Sequence, residues 1–259
     1  MRVDFNVTST SVLDARIEEN IAHARSLGLP YATDRAGGRA LNVIGRGPSV
    51  ARHVEVLRSD DADNWAAGTA WAWCRDNGIE AAFVCIDPSP RMVDYTSWAK
   101  VALVAEQCDP TVFAALRGAD VKLISMETCA YGWTAATIAA VLGANADSEV
   151  RLYGCEGSYG DMTHADEDIP QQNLMIVRAN GQEFRTNPQM IMQSEEFALL
   201  FRICKPGTFI DRSGGLLGAL IASGGDWDLV EWDNAPDNVR ALMAREQAFF
   251  DTAEIGGFQ

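Results

Sequence analysis

The chain has 259 residues, 47% of them hydrophobic and 22% charged, with a formal net charge of -15. That length buries a sizeable core within one large domain, or one domain with a small appendage. The acidity argues against a groove that tracks nucleic-acid phosphates, because such affinity rests on clustered Lys and Arg, although a local basic pocket is compatible with it.

The opening "MRVDFNVTSTSV" lacks the uninterrupted apolar core of a signal peptide, and no apolar run approaches transmembrane length. We expect a soluble, cytoplasmic protein with no membrane partner, in which "NVT" at 6–8 has no meaning as a glycosylation signal. Leu13, Ile17, Ile21 and Ala24 recur at helical spacing until Gly28 and Pro30 stop the pattern, so a packed N-terminal helix is predicted.

"RALNVIG" follows as a continuous apolar run suited to a strand buried on both faces, and Val50, Val54 and Leu57 place one stripe on the next helix. Between them stands "GRGPS". Gly45 and Gly47 let backbone approach a ligand, Pro48 suits a first helical position, and Ser49 offers a hydroxyl. Free amides at that helix start would favour phosphate. The motif is neither a Walker A sequence nor a full GxGxxG fingerprint; it reads as a nucleotide-phosphate cradle, with a ligand-free tight turn as the alternative.

The pattern recurs as "NWAAG" then "TAWAWCRDNG", "AAFVCID" with "VALVAEQC" after it, and "DVKLIS" leading to "WTAATIAAVLG" and "EVRLYGCE". Strands alternating with helices predict a Rossmann-like α/β domain, its mostly parallel sheet covered by helices on both faces. Asp87, after one of those strands, could ligate Mg²⁺, bind a ribose hydroxyl, or cap its turn. The six cysteines at 74, 85, 108, 129, 155 and 204 form no CxxC pair and read as reduced, buried thiols.

From about 155 to 192 the texture turns polar and turn-rich, as active-site loops do. His164 stands there beside Asp161 and Thr163, where an imidazole suits general-base work on a hydroxyl; His23 and His53 fall within helices and read as ordinary surface residues. "ADEDIP" reads as a solvated loop or a metal-holding run, and the seven tryptophans as core, rim or a stacking platform. "SEEFALLFRIC" is helical in pattern, "GTFID" strand-like, and "DNVRALMAREQAFF" a closing helix. No internal repeat or low-complexity linker interrupts the chain. In open parallel sheets ligands bind beyond the carboxyl ends of the strands, which singles out Gly45 to Ser49, Asp87, Glu156 to His164, and Asp211 to Gly215.

The ordered set "GRGPS", "GIEAAFVCIDPSP", "GWTAATIAAVLGANADSEVRLYGCEGS", "THA" and "FIDRSGGLLGALI" resembles the 6-hydroxymethylpterin diphosphokinase MptE-like family, which also includes the motility accessory factors, themselves similar to nucleotide-sugar glycosyltransferases. The resemblance spans roughly Arg39 to Ala222. It implies a Rossmann-type domain over 39–222 holding a nucleotide, flanked by an N-terminal helical segment (1–38) and a C-terminal helical extension (223–259). Carried over position by position, Gly45, Arg46, Gly47, Pro48, Ser49, Gly154, Ser213 and Gly214 would meet the nucleotide. Asp87 and His164 would be catalytic, with Asp87 and Glu156 on the metal. Glu156 stands where the family has Asp, and Arg46 puts a cation inside the turn. The chain is shorter than many relatives, so an appended acceptor domain is expected to be missing.

Two mechanisms fit this set, each with a small-molecule substrate and no nucleic acid. In the first, expected as the main one, ATP and Mg²⁺ support diphosphate transfer to a hydroxymethyl acceptor of pterin type. In the second, a nucleotide sugar occupies the same site and His164 activates an acceptor hydroxyl. A non-catalytic nucleotide-binding or structural module is the third reading.

Overall fold

The computed structural model describes residues 12–32, 39–130, 132, 134–144, 149–162, 164–165, 173–233 and 235. Its main element is a seven-stranded, wholly parallel sheet in the order β5-β4-β3-β2-β1-β6-β9. The strands are β1 (Leu41–Ile44), β2 (Asp63–Ala67), β3 (Ala82–Cys85), β4 (Val101–Ala105), β5 (Asp120–Ile124), β6 (Val150–Tyr153) and β9 (Phe209–Asp211). Every residue of β1 and of β3 is buried, as apolar runs flanked by helices on both faces require. This is the Rossmann-like architecture expected from the sequence.

The chain winds from β1 outward to β5, then returns to the other side of β1 with β6 and β9. The order therefore reverses between β1 and β6, and a crevice opens at the carboxyl edge where the two departing chains diverge. "VALVA" is β4 itself, reached from β3 through a short 3-10 helix, Pro90–Tyr95, so this crossover carries no full α-helix.

The N-terminal helix α1 (Asp14–Ser26) is fastened to the sheet by polar contacts. Arg25 grips the Glu106 carboxylate through Nε at 2.7 Å and Nη2 at 3.1 Å, Tyr31 donates its hydroxyl to it at 2.6 Å, and the Met126 amide donates at 3.0 Å. These donors stabilise the charged form and hold the carboxyl down at about 2, against the cost of burial.

The polar stretch before residue 192 contains a hairpin, β7 (Met175–Ala179) and β8 (Gln182–Thr186), turning on Asn180 and Gly181. Both turn residues have positive φ, 47° and 75°, which the tight hairpin turn demands and which Asn-Gly adopts readily. β10 (Asp228–Trp232) pairs antiparallel with β7, so the first described part of the C-terminal segment is a strand. The helix expected over "DNVRALMAREQAFF" lies outside the described residues. Helices α7 (Pro188–Ile203) and α8 (Gly215–Ser223) bury Ile191, Leu216 and Leu220 against Met175 and Val177 of this small sheet. No helix among the described residues is long and apolar enough to cross a membrane.

Candidate active site

A cleft of about 860 Å³ opens at the reversal point, bounded by the turns after β1, β2, β3 and β6. Gly45, Arg46, Gly47, Pro48, Asp87, Gly154, Glu156 and His164 all line it. The structure thus brings most of the sequence-selected residues to one place. Ser49, Ser213 and Gly214 are not in its lining.

The glycine turn is built by close approach of two backbones. Gly45 donates its amide to the Tyr153 carbonyl at 2.7 Å, and Gly47 donates to the Gly154 carbonyl at 2.9 Å. A Cβ on Gly45 would overlap the Gly154 carbonyl, and one on Gly154, whose φ is +64°, would meet the Gly45 carbonyl carbon at 2.9 Å. Glycine at both positions is therefore demanded by the close approach of the turns that leave the parallel neighbours β1 and β6.

The helix start beyond the turn is occupied from within. Glu156 accepts the Ser49 amide at 2.7 Å through Oε1 and the Ser49 hydroxyl at 2.8 Å through Oε2. A Cβ on Gly47 would overlap that carboxylate. The free amides expected for a phosphate are thus spent: those of Gly45, Gly47 and Ser49 all donate inside the protein. Burial raises the Glu156 carboxyl above its ordinary value, while the two Ser49 donors pull it back.

Asp87 is exposed at the cleft edge, and its carboxylate accepts the Ser89 amide at 2.8 Å. It follows β3, whereas Glu156 follows β6, and β2 and β1 lie between them. Three strand spacings separate those ends by roughly 14 Å, far beyond the reach of one small cation that demands short oxygen contacts. No group of three His, Cys, Asp or Glu side chains suited to an ion comes together among the described residues. The two carboxylates do not fit a shared Mg²⁺ site.

His164 is held beside the glycine turn by its neighbour, since the Ala165 amide donates to the Arg46 carbonyl at 3.1 Å. The two other histidines pack rings instead: His53 stands edge-on to Tyr153 with centroids 5.1 Å apart, and His23 tilts over Phe113. Ser213 is a strut. Its hydroxyl donates to the Leu152 carbonyl at 3.1 Å and accepts the Cys155 amide at 2.9 Å, while Asp211 accepts the amides of Ser213 and Gly214. None of the described tryptophans lines the cleft; its apolar floor comes from Ile86, Met92, Met126 and small alanines. The acidic run after Ala165 lies outside the described residues.

The sequence reading passed over the α7 wall, where Asn187, Gln189, Met190, Met192 and Gln193 face the cleft. The signal was present in "NPQMIMQ": an Asn N-cap, a Pro at the first helical position, and two glutamines four residues apart.

No protein-family profile matches the chain, and no curated protein sequence does. Among solved structures, a MAf glycosyltransferase from Magnetospirillum magneticum AMB-1 superimposes with a TM-score of 0.54 at 15% identity, over 93% of this chain and 43% of that one. A mammalian sialyltransferase, solved with Gal-beta-1-3GalNAc-ortho-nitrophenol, gives a TM-score of 0.42 at 9% identity, over 80% and 89% of the two chains. The likeness to the first is one of fold, and this chain spans less than half its length. The class defined by fold and site is a Rossmann-like α/β protein with its cleft at the sheet reversal. What the MAf structure adds is a shared fold, and the sequence resemblance to motility accessory factors had implied a fold of that kind.

Proposed function

We propose that the chain is a glycosyltransferase that takes its sugar from a nucleotide donor, in preference to the diphosphate transfer expected from sequence. The observation that carries this reading is His164 and the glycine turn facing one cleft, tied by the Ala165 to Arg46 hydrogen bond. Among the described residues, Arg46 is the one Lys or Arg in the lining, which suits a donor whose leaving group bears one phosphate better than a triphosphate. The three strand spacings between Asp87 and Glu156 support the same preference, since diphosphate transfer would want both carboxylates on one metal.

In this reading the His164 imidazole takes the proton of an acceptor hydroxyl as that oxygen attacks the anomeric carbon. The bond from that carbon to the phosphate oxygen breaks, and the nucleoside monophosphate departs with the electron pair toward Arg46. Asp87, at the end of β3, is positioned to accept hydrogen bonds from a ribose. The cleft contributes orientation and exclusion of water.

The test incubates the protein with CMP-, UDP- and GDP-sugars, and separately with ATP and 6-hydroxymethyl-dihydropterin, each with Mg²⁺ or EDTA, and resolves the nucleotide products. Release of CMP from its sugar donor in EDTA, with the UDP- and GDP-sugars intact, is the expected result. AMP release from ATP that requires Mg²⁺, with every nucleotide sugar intact, would restore the diphosphokinase reading.

A further inference from the structure

The α7 wall carries chemistry that the donor does not use. Gln189 and Gln193 sit one turn apart on the cleft side of α7, one exposed and the other half-buried. Neither side chain has a hydrogen-bond partner among the described residues. Asn187, by contrast, is committed: its carbonyl oxygen caps α7 by accepting the Met190 amide at 2.9 Å, and its amide donates to the Tyr159 hydroxyl at 2.6 Å. The wall is therefore rigid at its base and presents two unengaged amides above it.

Charge is arranged around this wall in a way that selects ligands. No charged residue of α7 lines the cleft. A second hollow of about 300 Å³ adjoins it along the same helix, lined by Glu195, Glu196, Arg202 and Asp226, and Met192 borders both cavities. An anionic ligand leaving the cleft over Met192 would run into these carboxylates on a chain already at -15. An apolar ligand would strip water from two glutamine amides and return no hydrogen bonds.

We propose that the α7 face bearing Gln189 and Gln193 is the acceptor subsite, and that its ligand is an uncharged sugar ring whose next unit leaves the cleft across Met192. This rests on the transferase reading of the same cleft and names its acceptor class. Each glutamine offers two donors and one acceptor, matching hydroxyls that both donate and accept. Residues four apart on a helix stand about 5–6 Å apart at Cβ, the breadth of one sugar ring. Met190 and Met192 supply polarizable surface for the apolar face of such a ring.

Saturation-transfer NMR on the whole protein tests this with lactose, maltose and cellobiose as neutral probes, 3'-sialyllactose as the anionic one, and an uncharged Ser/Thr peptide. Nucleotide binding is followed separately by thermal shift with CMP and UDP. At least one neutral disaccharide is expected to bind, with affinity lowered at least tenfold in Gln189→Ala/Gln193→Ala and nucleotide binding unchanged. Because neither glutamine has a partner to lose, the double variant should melt with the parent; if it does not, Gln189→Ala alone gives the reading. Nucleotide binding without any disaccharide binding, equal disaccharide binding by the variant, or preference for the peptide or the sialylated probe overturns the subsite and leaves the transferase reading standing. Failure of both nucleotides and disaccharides to bind overturns both.

Discussion

Glu156 holds Ser49 by two hydrogen bonds, accepting its backbone amide at 2.7 Å and its hydroxyl at 2.8 Å across 107 positions of sequence. The pair joins the chain leaving β6 to the helix start after β1, and so ties together two of the turns that bound the cleft. Glu156 is a latch, and its behaviour under titration follows from that. Burial lifts its carboxyl above the ordinary 4.5, so the native state binds this proton more tightly than the unfolded chain. Its contribution is fully present below pH 4.5 and is lost as pH rises through the raised native value. Glu156→Gln keeps an acceptor for the Ser49 amide and adds a donor for its hydroxyl, without the buried charge. Urea melts should show this variant within about 1 kcal/mol of the parent at pH 5 and equal to it or more stable at pH 8. Glu156→Ala should cost about 1–3 kcal/mol, because it strands the Ser49 amide.

Gly47 is required by that same carboxylate. Gly47→Ala should destabilise by about 1–3 kcal/mol, the ordinary cost of overpacking. Combined with Glu156→Ala, which clears the space, it should cost much less than the sum, with a coupling of at least about 1 kcal/mol in a double-mutant cycle. Additive losses would show that the turn rejects a side chain for another reason.

The clasp on the N-terminal helix predicts an acid limb. Glu106, held down to about 2 chiefly by Arg25, contributes stability above pH 4.5 that is lost as pH falls toward 2. Glu106→Gln should flatten the fall in urea midpoint between pH 4.5 and 2.5. It should also speed amide exchange in α1 while leaving β1 and β6 protected, since Arg25 and Tyr31 lose their shared anchor.

If His164 is the general base, His164→Ala should lower the turnover of the nucleotide-sugar donor by roughly 10²- to 10⁴-fold with donor affinity nearly unchanged. A variant that loses donor affinity instead would make His164 a binding residue.

Cys129 lines the cleft, is only partly buried, and has its thiol pushed up to about 11 by burial. Its alkylation should be slow at pH 7.5 and should quicken at pH 9.5 as thiolate forms. A bound nucleotide should protect it, as peptide mass spectrometry would show. Cys74, buried and raised to about 12, should stay unmodified until the protein unfolds.

Repeated apolar runs broken by glycine were enough to define the parallel α/β sheet, because strands buried on both faces favour near-continuous apolar residues. The strand-end rule marked Gly45 to Pro48, Asp87, Glu156 and His164 from sequence alone, and these do line one cleft, whereas Ser49 and Asp211 to Gly215, marked by the same rule, do not. The hairpin at Asn180-Gly181 was read as part of a turn-rich loop, because β8 is polar and β7 offers only five residues of apolar pattern. What the sequence did not decide was which strand stands beside which. Asp87 and Glu156 follow strands of the same sheet and read as partners, yet β2 and β1 lie between them. The amides of the glycine turn read as free, yet Tyr153, Gly154 and Glu156, more than a hundred residues away, consume them. Gln189 and Gln193 read as ordinary helix surface until the docking of α7 turned them toward the cleft. Local pattern is a matter of neighbours in the chain, whereas a site is made by neighbours in space, and only the order of strands and the close approach of two backbones determine those.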